Sequence, residues 1–217
     1  MVIAIKTHKI AYMAVPKAAC TSVKAGLAQC DPEVSLDLEA AKADATLAHS
    51  LYPTKRFRPH RWKEYEAFWR FTVVRDPLKR LMSVYTDIVD GRQELRNSRK
   101  LKRQDAVLPM DPDPDFFFQH LAEYREAASS VKHHVLPVWL FIGPRPHLYD
   151  RIYKIEEIPE LAADLAQKTG TDIVIPRYNK SPSKLLFSEL DAKTRSSLDG
   201  YLDQEYKSLK GIYERHS

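Results

Sequence analysis

Ala14-Val15-Pro16-Lys17-Ala18-Ala19-Cys20-Thr21-Ser22-Val23-Lys24 is the stretch around which the rest of the chain is organised. It follows the apolar run Ile10-Ala11-Tyr12-Met13-Ala14, which has the length and composition of a buried strand, and it leads into Val23, Leu27 and Cys30 at helical spacing. The pattern predicts strand, tight turn, helix. A turn of that kind aims several backbone N–H groups and the positive end of a helix dipole at one place. Lys17 adds a charge there, and Thr21 and Ser22 add hydroxyl donors. Together these groups suit an anion, and phosphate in particular.

A second stretch carries the same kind of chemistry. Phe71-Thr72-Val73-Val74 is short, aromatic and β-branched, as a buried strand is, and Arg75-Asp76-Pro77 follows at once. Asp76 suits an N-cap and Pro77 the first helical turn. The helix beyond then places Leu81, Val84, Tyr85 and Ile88 on one side and Arg80, Ser83 and Asp87 on another. Arg75 at the strand end and Ser83 two turns down the helix are expected to reach one phosphate in the crevice beyond the strand ends. An arginine grips such a dianion through paired N–H donors.

An ATP-type loop needs G-x-x-x-x-G-K-[ST], with its lysine directly before the hydroxyl residue. The Pro16–Ser22 loop has no glycine, and its lysine lies four residues before Thr21, so it is a poor ATPase loop. Pro-Lys-x-x-x-Thr-Ser instead resembles the 5′-phosphosulfate loop of sulfotransferases that use 3′-phosphoadenosine 5′-phosphosulfate (PAPS), notably the Golgi-type carbohydrate sulfotransferases and their bacterial relatives. Arg75-Asp76-Pro77-Leu78-Lys79-Arg80-Leu81-Met82-Ser83-Val84-Tyr85 resembles their 3′-phosphate motif, Arg-[Asp/Asn]-Pro-x-x-Arg-x-x-Ser-x-Tyr, at every fixed position. The resemblance runs from about Lys9 to Tyr206. It implies an α/β, P-loop-NTPase-like three-layer fold with a central, mainly parallel sheet flanked by helices. It also implies that Pro16, Lys17, Ala18, Ala19, Cys20, Thr21 and Ser22 hold the 5′-phosphosulfate, with Arg75 and Ser83 on the 3′-phosphate. Position 19, often glycine in such relatives, is alanine here.

The whole chain sets wider bounds. Its 217 residues fit one domain, 1–217, and 44% hydrophobic with 29% charged residues is a globular composition. The net charge of +5 favours anionic ligands mildly. No apolar run approaches the length of a membrane helix, and the opening Met1–Lys6 is too short for a signal sequence, so a cytoplasmic location is expected. Cys20 and Cys30, about 15 Å apart along one helix, are expected as free thiols, and no cysteine and histidine spacing suggests a metal site.

Elsewhere, Asp31-Pro32 ends the first helix, and a polar, alanine-rich segment whose pattern selects neither helix nor strand runs to Ala48, before His49 and Tyr52. The basic runs Lys55–Lys63 and Arg92–Arg103 read as solvated segments. Phe116, Phe117 and Phe118 read as core, His133 and His134 as a polar edge, and Arg151–Glu156 as a strand before a helix over Leu161 and Leu165. Glu156 suits a helix cap or an ion-pair partner. The basic turn Arg177–Lys184 offers Lys180 and Ser181 as further nucleotide contacts, because related enzymes close over the nucleotide with a late basic loop.

Sulfuryl transfer, like phosphoryl transfer, needs an in-line acceptor hydroxyl, a cation on the leaving oxygen and a base for the hydroxyl proton. Lys17 is the expected cation, and no metal is required if lysine and backbone donors take the charge. His49 is the first candidate for the base, since related heparan-type enzymes have a histidine just upstream of the Arg-Asp-Pro strand; His134 and Glu156 stay open as alternatives. The resemblance implies a hydroxyl acceptor on a saccharide or glycolipid, with adenosine 3′,5′-bisphosphate as the product. Two other readings are a P-loop-like nucleotide kinase and a non-catalytic module for nucleic acid or another polyanion. Neither has its signature here, since Walker glycines, zinc-finger spacing and aromatic RNA-binding patterns are all missing. Oligomeric state has no signal in the sequence.

Overall fold

The computed structural model describes residues 2–44, 46–103, 108–144, 146–178 and 184–215. Lys180 and Ser181 lie outside these described residues. The chain divides into two compact units: Met1–Arg75 with Val138–Lys180, and Asp76–Pro137 with Ser181–Ser217.

The first unit holds the sheet. Its strands are β1 (Ile3–Ile5), β2 (Ile10–Met13), β3 (Trp69–Val74) and β4 (Arg151–Lys154), side by side in that order. β1 runs antiparallel to β2, whereas β2 with β3 and β3 with β4 are parallel, which is the mixed, mostly parallel α/β architecture expected. β2 is buried throughout and β3 is buried from Phe71 to Val74, so neither strand alternates between a buried and an exposed face there. Tyr12 faces Phe71 across the parallel pair, and their rings stack at 4.9 Å. The Thr72 hydroxyl donates to the Met13 carbonyl at 2.7 Å and ties the ends of β2 and β3 together.

Four helices precede β3: α1 (Cys20–Ala28), α2 (Leu38–Ala43), α3 (Thr46–Leu51) and α4 (Pro59–Lys63). The alanine-rich segment thus becomes two short helices, the first capped by Asp37, whose carboxylate accepts from the Glu39 and Ala40 N–H groups. The basic run is exposed at Lys55, Arg56, Arg58, His60, Arg61 and Lys63 but buries Phe57 and Trp62. Gly143 takes φ +81 and comes so close to the Phe57 ring that an added Cβ would lie 2.9 Å from it. The unit's core gathers Ile5, Ile10, Tyr12, Val23, Leu27, Phe71, Tyr153 and Leu165, the last from the helix Ile158–Thr169.

The described part of the second unit is helical. It opens with α5 (Pro77–Val84), where Asp76 caps by accepting from the Lys79 N–H at 2.9 Å and Pro77 fills the first turn, both as expected. The backbone then runs on as a π-helical stretch over Tyr85–Gly91 that the sequence pattern does not announce. Its core holds Leu81, Val84, Ile88, Phe117, Phe118 and Tyr124, so two of the three phenylalanines are fully core and Phe116 packs against them partly buried. Among the described residues no helix is long and apolar enough to cross a membrane. Cys20 and Cys30 are free and buried.

Candidate active site

The turn between β2 and α1 is built from unusual backbone. Lys17 takes φ 66 and Ala19 φ 55, both in the left-handed region where a side chain is strained. Ala18 N–H closes the turn onto the Val15 carbonyl at 3.3 Å, and the helix begins with Val23 N–H on the Ala19 carbonyl at 3.0 Å. The first turn of a helix leaves N–H groups without intrahelical partners, and no side chain caps this one. Strain of this kind is held where a turn must present its backbone to a ligand.

Beside the turn, Arg75 follows β3, and its Nη1 donates to the Lys17 carbonyl at 3.3 Å. Two cationic residues therefore belong to one loop cluster in the first unit. The Ser22 hydroxyl accepts from the Tyr178 N–H at 3.3 Å, which fixes the chain after Ile175 to the head of α1. From Pro16 to Ser22 the loop has hydroxyl, amide and ammonium groups and no carboxylate, a donor set that fits a dianion such as the 5′-phosphosulfate of PAPS.

His49 is brought to this loop by α3. Its Nε2 lies 2.9 Å from Thr21 Oγ1 and its Nδ1 lies 2.8 Å from Lys24 Nζ. Lys24 is completely buried and also donates to Thr54 Oγ1 at 2.7 Å. Burial pushes its ammonium down from 10.5 to about 8, with Cys20 opposing that shift. Below that value Lys24 is an ammonium, which can only donate, so Nδ1 accepts and the single proton of a neutral imidazole sits on Nε2. The base expected at His49 meets an obstacle here, because the lone pair it would use faces Lys24. Lys24 itself was missed in the sequence, although it stands three residues after Thr21 and so shares its helix face.

The remaining candidates sit on other elements of the chain. His134 belongs to the second unit, where its Nδ1 donates to the Ser130 carbonyl at 2.7 Å. Glu156 follows β4, but the cap there comes from its neighbour: Glu157 accepts from the Lys154 N–H at 2.6 Å. Ser83, in the second unit, is buried and donates its hydroxyl to the Arg80 carbonyl at 2.7 Å. Arg80, a fixed position of the motif, serves its own unit as a buried clamp. It pairs with Glu205 at 2.8 Å and donates to the His134 and Leu136 carbonyls. Tyr85, another fixed position, donates to the Pro112 carbonyl at 2.8 Å, and Asp76 accepts from the Tyr206 hydroxyl at 2.8 Å.

Comparison with known proteins adds one strong match. The model of the sulfotransferase family matches residues 1–215. No curated protein matches the chain, and no solved structure does. With the family model spanning nearly the whole length, the chain belongs to the sulfotransferase family and is a PAPS-dependent sulfotransferase.

Proposed function

We propose that this enzyme sulfates a hydroxyl of a saccharide or a glycolipid, with the Pro16–Ser22 loop on the 5′-phosphosulfate and the motif beginning at Arg75 on the 3′-phosphate. When bound, PAPS supplies an electrophilic sulfuryl group on a bisphosphate leaving group. Lys17 would neutralise the charge that grows on the bridging oxygen, and the head of α1 would hold the phosphate oxygens in line. Thr21 and Ser22 add hydroxyl contacts to the same anion.

The observation that carries this reading is the strained turn, in which Lys17 and Ala19 both take positive φ while Arg75 bonds the Lys17 carbonyl. The saccharide assignment rests on the motifs' likeness to carbohydrate sulfotransferases. It is tested by incubating the enzyme with labelled PAPS and a panel of oligosaccharides, glycolipids and small alcohols. Label on a sugar hydroxyl is the expected result, and label confined to small alcohols would move the acceptor class away from carbohydrate. Calorimetry supplies a companion measure: adenosine 3′,5′-bisphosphate should bind far more tightly than adenosine 5′-phosphosulfate, and equal affinity would remove the second phosphate site.

A further inference from the structure

We propose that Lys24 and His49 form a hydrogen-bond relay that fixes the Thr21 hydroxyl as a proton donor toward the anion in the Pro16–Ser22 loop. The proposal rests on the reading of that loop as the 5′-phosphosulfate site. Its parts are three contacts in one line: Thr54 and His49 on Lys24 Nζ, at 2.7 and 2.8 Å, and Thr21 on the far nitrogen of the His49 ring, at 2.9 Å. Lys24 is wholly buried and Thr21 nearly so, whereas His49 and Thr54 are partly exposed, so the ammonium and the hydroxyl are the sheltered members of the line.

The direction of the line follows from what each group is able to do. An ammonium donates and never accepts, so His49 Nδ1 accepts from Lys24. A neutral imidazole then carries its proton on Nε2 and donates it to Thr21 Oγ1. With one lone pair filled from behind, the Thr21 hydroxyl hydrogen turns away from the ring, and Thr21 sits in the first turn of α1, where an anion is received. Lys24 and His49 are therefore positioning residues that act through Thr21. His49 keeps an essential role without removing a proton from the acceptor.

The relay also has a second state. The groups that face the Lys24 ammonium are Cys20 on its own helix, His49 from α3 and Thr54 beyond α3. Burial lowers its value to about 8, so the ammonium form holds below that pH and the amine form takes over above it. An amine is able to accept, and the line is then free to reverse, with the Thr21 hydrogen directed inward onto His49. Anion affinity should consequently fall as pH rises through about 8.

Two measurements test this. Nitrogen-15 spectra of the nucleotide-free enzyme at pH 7, with His49 assigned by its loss in His49→Gln, should show a neutral ring protonated on Nε2; protonation on Nδ1 would overturn the relay. Calorimetry with adenosine 3′,5′-bisphosphate should show Lys24→Met and His49→Leu each weakening binding about tenfold, the scale of one charge-assisted hydrogen bond. His49→Gln keeps an acceptor for Lys24 and a donor for Thr21, so it should retain near wild-type affinity. In a Thr21→Val background neither Lys24→Met nor His49→Leu should change affinity further. Equal losses with and without the Thr21 hydroxyl would show a purely structural or long-range effect and sink the proposal. Should Lys24→Met fail to fold, the His49→Leu and His49→Gln pair makes the same comparison. A wild-type enzyme that does not bind the bisphosphate would overturn the nucleotide reading, while the tautomer measurement, made without nucleotide, still decides the relay.

Discussion

Lys17 leaves the backbone from a strained residue in the turn before α1 rather than from a helix. A charge placed there matters most when the leaving oxygen becomes negative, so its contribution belongs to the transition state more than to the ground state. Lys17→Ala should lower kcat by at least about a hundredfold, the scale of losing one preorganised electrostatic contact, while product affinity changes much less. Lys17→Arg should not restore the rate, because a planar fork does not replace a compact ammonium in a tight turn. Steady-state kinetics with calorimetry on the product separates the two effects, and near-normal turnover in Lys17→Ala would take the residue out of the mechanism. Arg80 gives the opposite lesson at the same scale. Its place in the motif suggests a ligand contact, yet its guanidinium is spent on Glu205 and on the His134 and Leu136 carbonyls. A buried arginine with that many partners holds a helix in place.

The turn joining β2 to α1 is the element on which the site depends, and it is held at a cost. Ala19 takes φ 55, and a non-glycine residue in that conformation costs about 1 kcal/mol. Ala19→Gly should therefore stabilise the protein by about 0.5–1 kcal/mol, raising Tm by about 1–4 °C. A fall in Tm would mean that the methyl packs well enough to offset the strain. Both the turn and α5 are legible in the sequence because their signals are local: Asp76-Pro77 is a cap followed by a first turn, and Val23 and Leu27 keep helical spacing. β1 escapes such reading, being three residues paired antiparallel at the sheet's edge, too short for a period to show. The π-helical run Tyr85–Gly91 escapes it too, since its sequence continues the apolar spacing of α5. In the site, Thr21 and His49 were legible one at a time, but their link through Lys24 depends on α3 packing against α1, a contact between residues 25 apart that no local pattern encodes.

Across the whole molecule, buried phenols set the alkaline limit of stability. Tyr12, Tyr52, Tyr124, Tyr149, Tyr153 and Tyr206 are all raised above the ordinary phenol range, chiefly by burial. In the unfolded chain they ionise near pH 10, so the stability gained by keeping them neutral is complete below about pH 10 and is lost above it. Each costs the fold about 1.4 kcal/mol per pH unit beyond that point. Lys24 has the opposite sign: with its folded value lowered to about 8, stability rises between about pH 8 and pH 10.5 as the buried charge is released. Denaturant midpoints should thus climb gently from pH 8, peak near pH 10 and fall steeply beyond, and a level profile from pH 9 to pH 12 would contradict the burial of these rings. The sheet carries a further consequence, for synthesis on the ribosome. Its last strand arrives late: Arg70 at the start of β3 donates its N–H to Asp150, 80 residues further along the chain. At bacterial or eukaryotic elongation speeds that interval lasts about 4–16 s. For all of it β3 lacks its β4 partner, and an unpaired strand edge is a template for pairing with a neighbouring chain on the polysome.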